Sequence, residues 1–297
     1  MNKSNKIYSH KLGRIYYIRH IFETLLIKLL SSLSINYIKN NDLQVAIFAF
    51  DGIGTTINVK GVYEREQLDT VISWLDSNQL IKGSAVDIGA NIGNHSLYFS
   101  RYYSEVFSFE PNPRTFKLLE INSSLVNNIT PFNFGLSDMI GNVPMQFCKE
   151  NMGGSKIVSE DKKGSNIVNI EVKPFDSIAH EFNLPIGLIK LDVEGHEYAA
   201  ISGAKNAIKI NKPIILFEQA AVDFKNGISP VIELLKSFGY SKFATIMPFP
   251  FTPTWVPRIV RPALTLCARL IVGFNYKIAI NNSINPGFYS FIVAIPD

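Results

Sequence analysis

Cysteine is nearly absent from this chain: Cys148 and Cys267 are the two among 297 residues, and they lack C-x-x-C spacing. That speaks against a disulfide framework or a thiolate metal site, so both read as buried, reduced thiols in a reducing, cytosolic compartment. Charge is thin as well, with 18% Lys, Arg, Asp and Glu and a net charge of +4. The dense basic stripe of a nucleic-acid binder is missing, so no nucleic-acid partner is expected. The N-terminal apolar stretch, Ile15 to Leu33, contains Arg19, Glu23 and Lys28. A membrane span would have to bury those charges, and Ser31-Ser32-Leu33-Ser34 is a poor cleavage site for a secretion signal. A third glycine is also lacking: Gly89 and Gly93 stand without the G-x-G-x-x-G that cradles a dinucleotide pyrophosphate.

What is present is a length and a 46% hydrophobic content sufficient for one sizeable core. One α/β domain with insertions accounts for it better than two domains. The organising stretch is Ser84-Ala85-Val86-Asp87-Ile88-Gly89-Ala90-Asn91-Ile92-Gly93-Asn94. Its apolar run is too short for a helix and closes in glycines, so it reads as a buried parallel strand, a tight turn and a helix start. Such a turn brings bare backbone and free helical N–H groups against an anion. Asp87 before the turn suits a cationic amine, and the helix start suits a carboxylate. Val106 to Phe109 reads as a second buried strand, and Glu110 at its end is placed to take two ribose hydroxyls. Amine, carboxylate and ribose together describe S-adenosylmethionine.

The motifs Val86-Asp87-Ile88-Gly89-Ala90-Asn91-Ile92-Gly93-Asn94-His95, Phe109-Glu110-Pro111-Asn112-Pro113, Leu136-Ser137-Asp138 and Lys190-Leu191-Asp192-Val193-Glu194-Gly195-His196-Glu197 follow one another in the chain. In this order the stretch from about Tyr63 to Gln219 resembles the FkbM family of S-adenosylmethionine-dependent methyltransferases. The resemblance implies an α/β, Rossmann-like class I fold: a seven-stranded, mostly parallel sheet with helices on both faces. It does not cover the N-terminal helix or the stretch after about Tyr240, where patterning adds an N-terminal amphipathic helix and, along the chain, β-hairpin insertions. The chain is so read as an extension, 1–62, and a methyltransferase domain, 63–297, with insertions at about 141–172 and 247–287. The cofactor-binding residues the resemblance implies are Glu64, Asp87, Gly89, Ala90, Asn91, Gly93, Asn94, Glu110, Pro111, Ser137, Asp138 and Asp192. Of these, Asp138 is placed to accept from the adenine amino group.

Residues leaving the carboxyl ends of parallel strands surround the ligand crevice, so Asp192, Glu194 and His196, after the fourth strand, are the catalytic candidates. Methyl transfer to an alcohol needs alignment of oxygen, carbon and sulfur, and a base that takes the hydroxyl proton. Asp192 is preferred as the group nearest the reacting centre, with His196 second, since imidazole titrates in the right range. Asp192, Glu194 and Glu218 could instead hold a divalent cation such as magnesium, although the family signature does not require one. The expected activity is O-methylation of a hydroxyl on a sugar, glycan precursor or related small molecule. A nicotinamide-dependent oxidoreductase and a non-catalytic, cofactor-binding scaffold are the alternatives.

The flanks are read from patterning. Ile18, Ile21, Phe22, Leu25, Leu26, Leu29 and Leu33 fall on one face of a helix, which either docks on the protein or a second subunit or lies on the inner membrane surface. Asp51-Gly52 between two β-rich runs predicts a hairpin over 45–59. Asp176 is expected to cap its own helix, and Gly153, Gly154 and Ser155 to form either a substrate-facing loop or a plain hairpin turn. The aromatic, proline-rich stretch 249–257 and the arginines of 258–274 fit sugar stacking, a lipid interface or a cap on the sheet edge. They tilt the acceptor towards surface polysaccharide or glycolipid assembly.

Overall fold

In the computed structural model the described residues are 13–40, 43–147, 154–158, 166–182, 185–250, 256–257, 259–281 and 283–297. The chain opens with helix α1 (Arg14–Lys39), followed by α2 (Gly52–Lys60) and α3 (Arg65–Ser77). The hairpin expected over 45–59 is therefore a helix. Asp51 does not turn a hairpin but caps α2, its Oδ2 accepting from the N–H groups of Ile53 (3.1 Å) and Gly54 (3.3 Å). An aspartate before glycine serves a turn and an N-cap equally well, and here the cap wins.

The alternating unit then begins: β1 (Ser84–Ile88), α4 (Asn94–Phe99), β2 (Val106–Phe109), α5 (Pro113–Ser123) and β3 (Ile129–Phe132). α5 starts where Pro113 fixes the first helical residue and Asn112 Oδ1 accepts from Arg114 N. A short excursion follows, β4 (Gly135–Leu136), β5 (Gly141–Gln146), β6 (Lys156–Ile157) and β7 (Ile167–Lys173), pairing as a separate four-stranded sheet in the order β4-β7-β5-β6. These strands overlap the stretch expected as an insertion, about 141–172. Residues 161–164, Gly153 and Cys148 lie outside the described residues.

After α6 (Phe175–Ile178) the alternation resumes with β8 (Ile186–Leu191), α7 (Glu197–Ser202), α8 (Lys205–Asn211), β9 (Ile214–Gln219), α9 (Pro230–Ser237) and β10 (Lys242–Phe249). Asp176 does not cap its own helix. Its two carboxylate oxygens accept from Asn206 N (2.8 Å) and Ala207 N (2.9 Å) at the start of α8. The chain ends with α10 (Arg261–Val272), β11 (Asn275–Asn281) and β12 (Tyr289–Ile295).

The main sheet runs β11-β10-β12-β9-β8-β1-β2-β3. Its β9-β8-β1-β2-β3 portion is wholly parallel, and β12 and β11 run antiparallel to their neighbours. It has eight strands where seven were expected, because residues 275–281 of the last insertion add β11 to the edge. Helices cover both faces. One apolar cluster joins α3 and α4 to the sheet through Leu68, Leu75 and Phe99, and the other joins α7, α8 and α9 through Ile201, Ile208 and Leu235. Burial of these faces is the main driving force for the fold.

α1 departs from expectation. None of its residues is buried, and Tyr16, Ile27 and Leu30, outside the expected apolar face, are exposed together with Ile18, Phe22 and Leu25. Apolar side chains therefore ring the helix rather than striping it. By length and composition it is long and apolar enough to cross a membrane. Cys267, expected to be buried, is exposed on α10.

Candidate active site

The carboxyl ends of β1, β2, β8 and β9 open onto a cavity of about 220 Å³. Gly89 forms its floor with a left-handed backbone (φ +74°), and a Cβ there would sit 2.0 Å from the Asp192 carbonyl oxygen, so no other residue fits. Glu64, Asn91 and Glu194 also adopt positive φ, at 57°, 52° and 50°, and all three line the cavity. Non-glycine residues held in that region mark a place where the surrounding structure imposes the conformation.

Glu110 leaves β2 into the cavity with both oxygens engaged, Oε2 by Asn91 N (2.9 Å) and Oε1 by Asn112 N (2.8 Å). Each carboxylate oxygen keeps a lone pair for a second donor. Burial pushes Glu110 up to about 7, against the pull of those N–H groups and of Lys190. Glu218, at the end of β9, is pushed up to about 8 by burial and then by Asp192, Glu194 and Glu64. Burial followed by Asp192 also raises Glu194, and burial followed by Glu64 and Asp192 pushes the Tyr63 phenol up to about 12. Five acidic side chains therefore crowd one hollow, where burial and mutual repulsion hold several of them back from ionising, and a cationic ligand would relieve that repulsion.

Apolar side chains complete the lining: Ile53 from α2, Met145 from β5, Ile157 from β6, Val193 and Phe288. The small sheet thus contributes to the lining, and Ser155 of the expected glycine-serine loop reaches it too. His196 lines the cavity with its Nε2 3.0 Å from Ser137 Oγ, and Ser137 Oγ donates to Asp138 Oδ1 at 3.2 Å. With the serine proton given to Asp138, the imidazole donates from Nε2 and its lone pair is on Nδ1. Burial lowers the His196 pKa against the opposing pull of Asp138, which keeps the ring neutral at pH 7.

Glu64, Gly89, Asn91, Glu110, Pro111, Asp192, Glu194 and His196 meet at this cavity. The other sequence candidates stand behind it. Asp87 is fully buried on the α4 side of the sheet, because side chains alternate along β1 and Ile88 takes the cavity side. Its carboxylate accepts from Ser96 Oγ (2.6 Å) and lies 3.1 Å from Lys190 Nζ, so it does not face an incoming amine. Ala90 is buried, its N–H donated to Phe109 O, and Gly93 packs against Leu119. Asn94 clamps the Tyr63 backbone from both sides, accepting from its N–H and donating to its carbonyl. Ser137 acts through His196, and Asp138 is solvent-exposed.

Sequence reasoning missed Lys190. Only 1% of its side chain is exposed, and its ammonium reaches Gly89 O (3.0 Å), Asp87 (3.1 Å) and Asp192 Oδ2 (3.8 Å). Burial alone would lower its pKa, but the two aspartates outweigh that and raise it. It therefore ties the glycine floor, the buried acid and the catalytic candidate together. Tyr63, Ile53 and Phe288 were also missed as wall residues. Among the described residues no group of three or more His, Cys, Asp or Glu is arranged to hold a metal ion.

A mostly parallel, doubly covered sheet with a carboxylate-lined crevice at its strand ends defines a Rossmann-like enzyme of the class I methyltransferase type. The particular family follows from comparison: the model of the "Methyltransferase FkbM domain" matches residues 87–242, and the chain belongs to that family. The hexuronic acid methyltransferase AglP of Haloferax volcanii is 33% identical over 142 residues, covering 47% of this chain and 57% of that protein. Methyltransferase sdnD of Sordaria araneosa is 30% identical over 166 residues, covering 44% and 62%. The chain thus spans about three fifths of the length of these curated relatives. Among solved structures, the FkbM methyltransferase of Methylobacillus flagellatus KT is 24% identical over 46% of this chain and 32% of that one, with a TM-score of 0.33. A putative O-methyltransferase from Klebsiella pneumoniae is 10% identical over 88% and 95%, with a TM-score of 0.41. The fold is defined by the strand order.

Proposed function

We propose that this protein transfers the methyl group of S-adenosylmethionine to a hydroxyl of a sugar, glycan precursor or related small molecule. The observation that carries the reading is the concentration of Glu64, Glu110, Asp192, Glu194 and Glu218 around a glycine floor, complementary to a sulfonium and an ammonium on one ligand. Glu110, anchored by two backbone N–H groups, would hold the ribose hydroxyls, and the bare turn at Gly89 and Asn91 would accommodate the amino-acid tail. The cofactor supplies an electrophilic methyl group. The protein's share is to align the acceptor oxygen and to receive its proton.

Asp192, at the rigid end of β8 and beside Lys190, is the group we assign to position and deprotonate the acceptor, with neutral His196 as the second base and Glu194 beside them. Support for a sugar acceptor comes from AglP, whose name specifies hexuronic acid. The aromatic stretch that tilted the sequence reading towards glycans lies largely outside the described residues, at 251–255, as does Arg258. The compartment proposed is the cytoplasm, where the cofactor is made available to such enzymes.

The test is transfer of labelled methyl from S-adenosylmethionine to hexuronic-acid glycosides. Asp192→Asn is expected to retain cofactor binding within about threefold and to lose at least a hundredfold in turnover, the scale of a lost general base. Loss of cofactor binding with unchanged turnover per bound cofactor would overturn the assignment.

A further inference from the structure

Charge is distributed unevenly along the chain. Seven of its 29 Lys and Arg and one of its 25 Asp and Glu lie in the first 39 residues, so that segment carries +6 and the remainder −2. The entire positive excess sits on α1 and the residues before it. α1 buries none of its own side chains and presents Ile18, Phe22, Leu25 and Leu29 to the outside. Its ion pair, Arg19 Nε to Glu23 Oε1 at 2.6 Å, mutes one of its charges locally.

A second helix shares this character. α10 also buries no side chain, and Leu264, Leu270, Ile271 and Val272 are exposed. Arg269 is drawn back to the protein over the Phe274 ring, 4.6 Å from its centre, which leaves the apolar residues outward. The C-terminal ends of the two helices come near one residue, Lys60. Tyr37 near the end of α1 donates to Val59 O (2.7 Å) in α2. Lys60, paired with Glu66 at 2.9 Å, is in electrostatic reach of both Tyr37 and Tyr276 at the start of β11, directly after α10.

We propose that α1 and α10 together form a docking surface for an anionic lipid bilayer. Two helices that bury none of their apolar side chains among the described residues, combined with a concentrated positive charge, match such a surface in both of its properties. Spanning would place Arg19, Glu23 and Lys28 in hydrocarbon, whereas contact at the bilayer surface leaves them in reach of water. Pairing with a second copy would bring two segments of +6 together, which like-charge repulsion opposes. The inference is independent of the methyl-transfer reading.

The experiment is flotation of the full chain with vesicles of mixed phosphatidylglycerol and phosphatidylcholine, against phosphatidylcholine alone, at low salt and in 0.5 M salt, a concentration at which surface charge is screened within roughly 4 Å. The wild-type protein floats with the anionic vesicles at low salt and is released by salt. Leu25→Glu with Leu29→Glu reduces partitioning at least tenfold, and Leu270→Glu with Ile271→Glu at least threefold. S-adenosylmethionine binding is measured on the same variants and stays as in the wild type, so failure of the cofactor reading would show separately. Wild-type protein that ignores anionic vesicles, a dimer by sedimentation that does so, variants that float like the wild type, or salt-resistant flotation would each overturn the proposal.

Discussion

Lys190 is where chemistry and stability meet in a single residue. A fully buried ammonium beside a fully buried Asp87 holds together because each neutralises the other, and removing one partner strands the second in a low-dielectric interior. Lys190→Met is therefore expected to cost about 3–5 kcal/mol in urea unfolding, the typical penalty for an orphaned buried charge. Asp87→Asn added to Lys190→Met should recover part of it. A double variant as unstable as the sum of the singles would show that the pair is not coupled. Glu218 gives a pH signature. Its carboxyl titrates near 8 in the folded protein, above the ordinary carboxylate value, so the folded state holds the extra proton. That stabilisation is complete below about pH 4, the unfolded range, and is lost as pH rises through 8. The thermal midpoint should fall between pH 5 and 9, and Glu218→Gln should flatten the fall and be the more stable form at pH 9. Identical pH dependence in the two proteins would contradict the assignment.

At the scale of elements, the caps show what a local pattern can and cannot decide. Asp51 holds the first turn of α2, which brings Ile53 to the cavity wall, so Asp51→Ala is expected to cost about 1 kcal/mol by thermal unfolding. An unchanged midpoint would mean that α2 is held by its packing alone. The strands β1, β2, β8 and β9 were legible because each is a short apolar run closed by glycine or an acid, a signal that is entirely local. The Asp51-Gly52 hairpin was misread because the dipeptide is compatible with both a turn and a cap, and tertiary context chose. Asp176 was recognised as a cap, but its helix lies 29 residues further on, where only the folded chain brings the two together. β11 was hidden in an insertion whose residues pair with β10 although α10 separates the two in the chain.

Across the whole molecule, the end of the sheet that carries the site was readable from the motifs, since parallel strands deliver their following residues to one edge. What the motifs could not say is which of those residues face the hollow. Asp87 and Glu110 look equivalent as acids near strand ends. Yet Asp87 lies within β1 on the face covered by α4, and Glu110 lies beyond β2 at the opening. Lys190 was visible as a lone charge in a buried strand, and the register pairs it with Asp87, information that sequence spacing alone does not contain. The apolar walls contributed by α2, the small sheet and Phe288 come from four separate parts of the chain, so no single window could reveal them.

The central claim is that this cavity holds S-adenosylmethionine with its ribose on Glu110, and titration calorimetry tests it most directly. Wild-type protein is predicted to bind S-adenosylmethionine with one site per chain, and Glu110→Ala to bind at least tenfold more weakly, with NAD giving no heat for either. Equal affinity in the two proteins, or binding of NAD in place of S-adenosylmethionine, would contradict it.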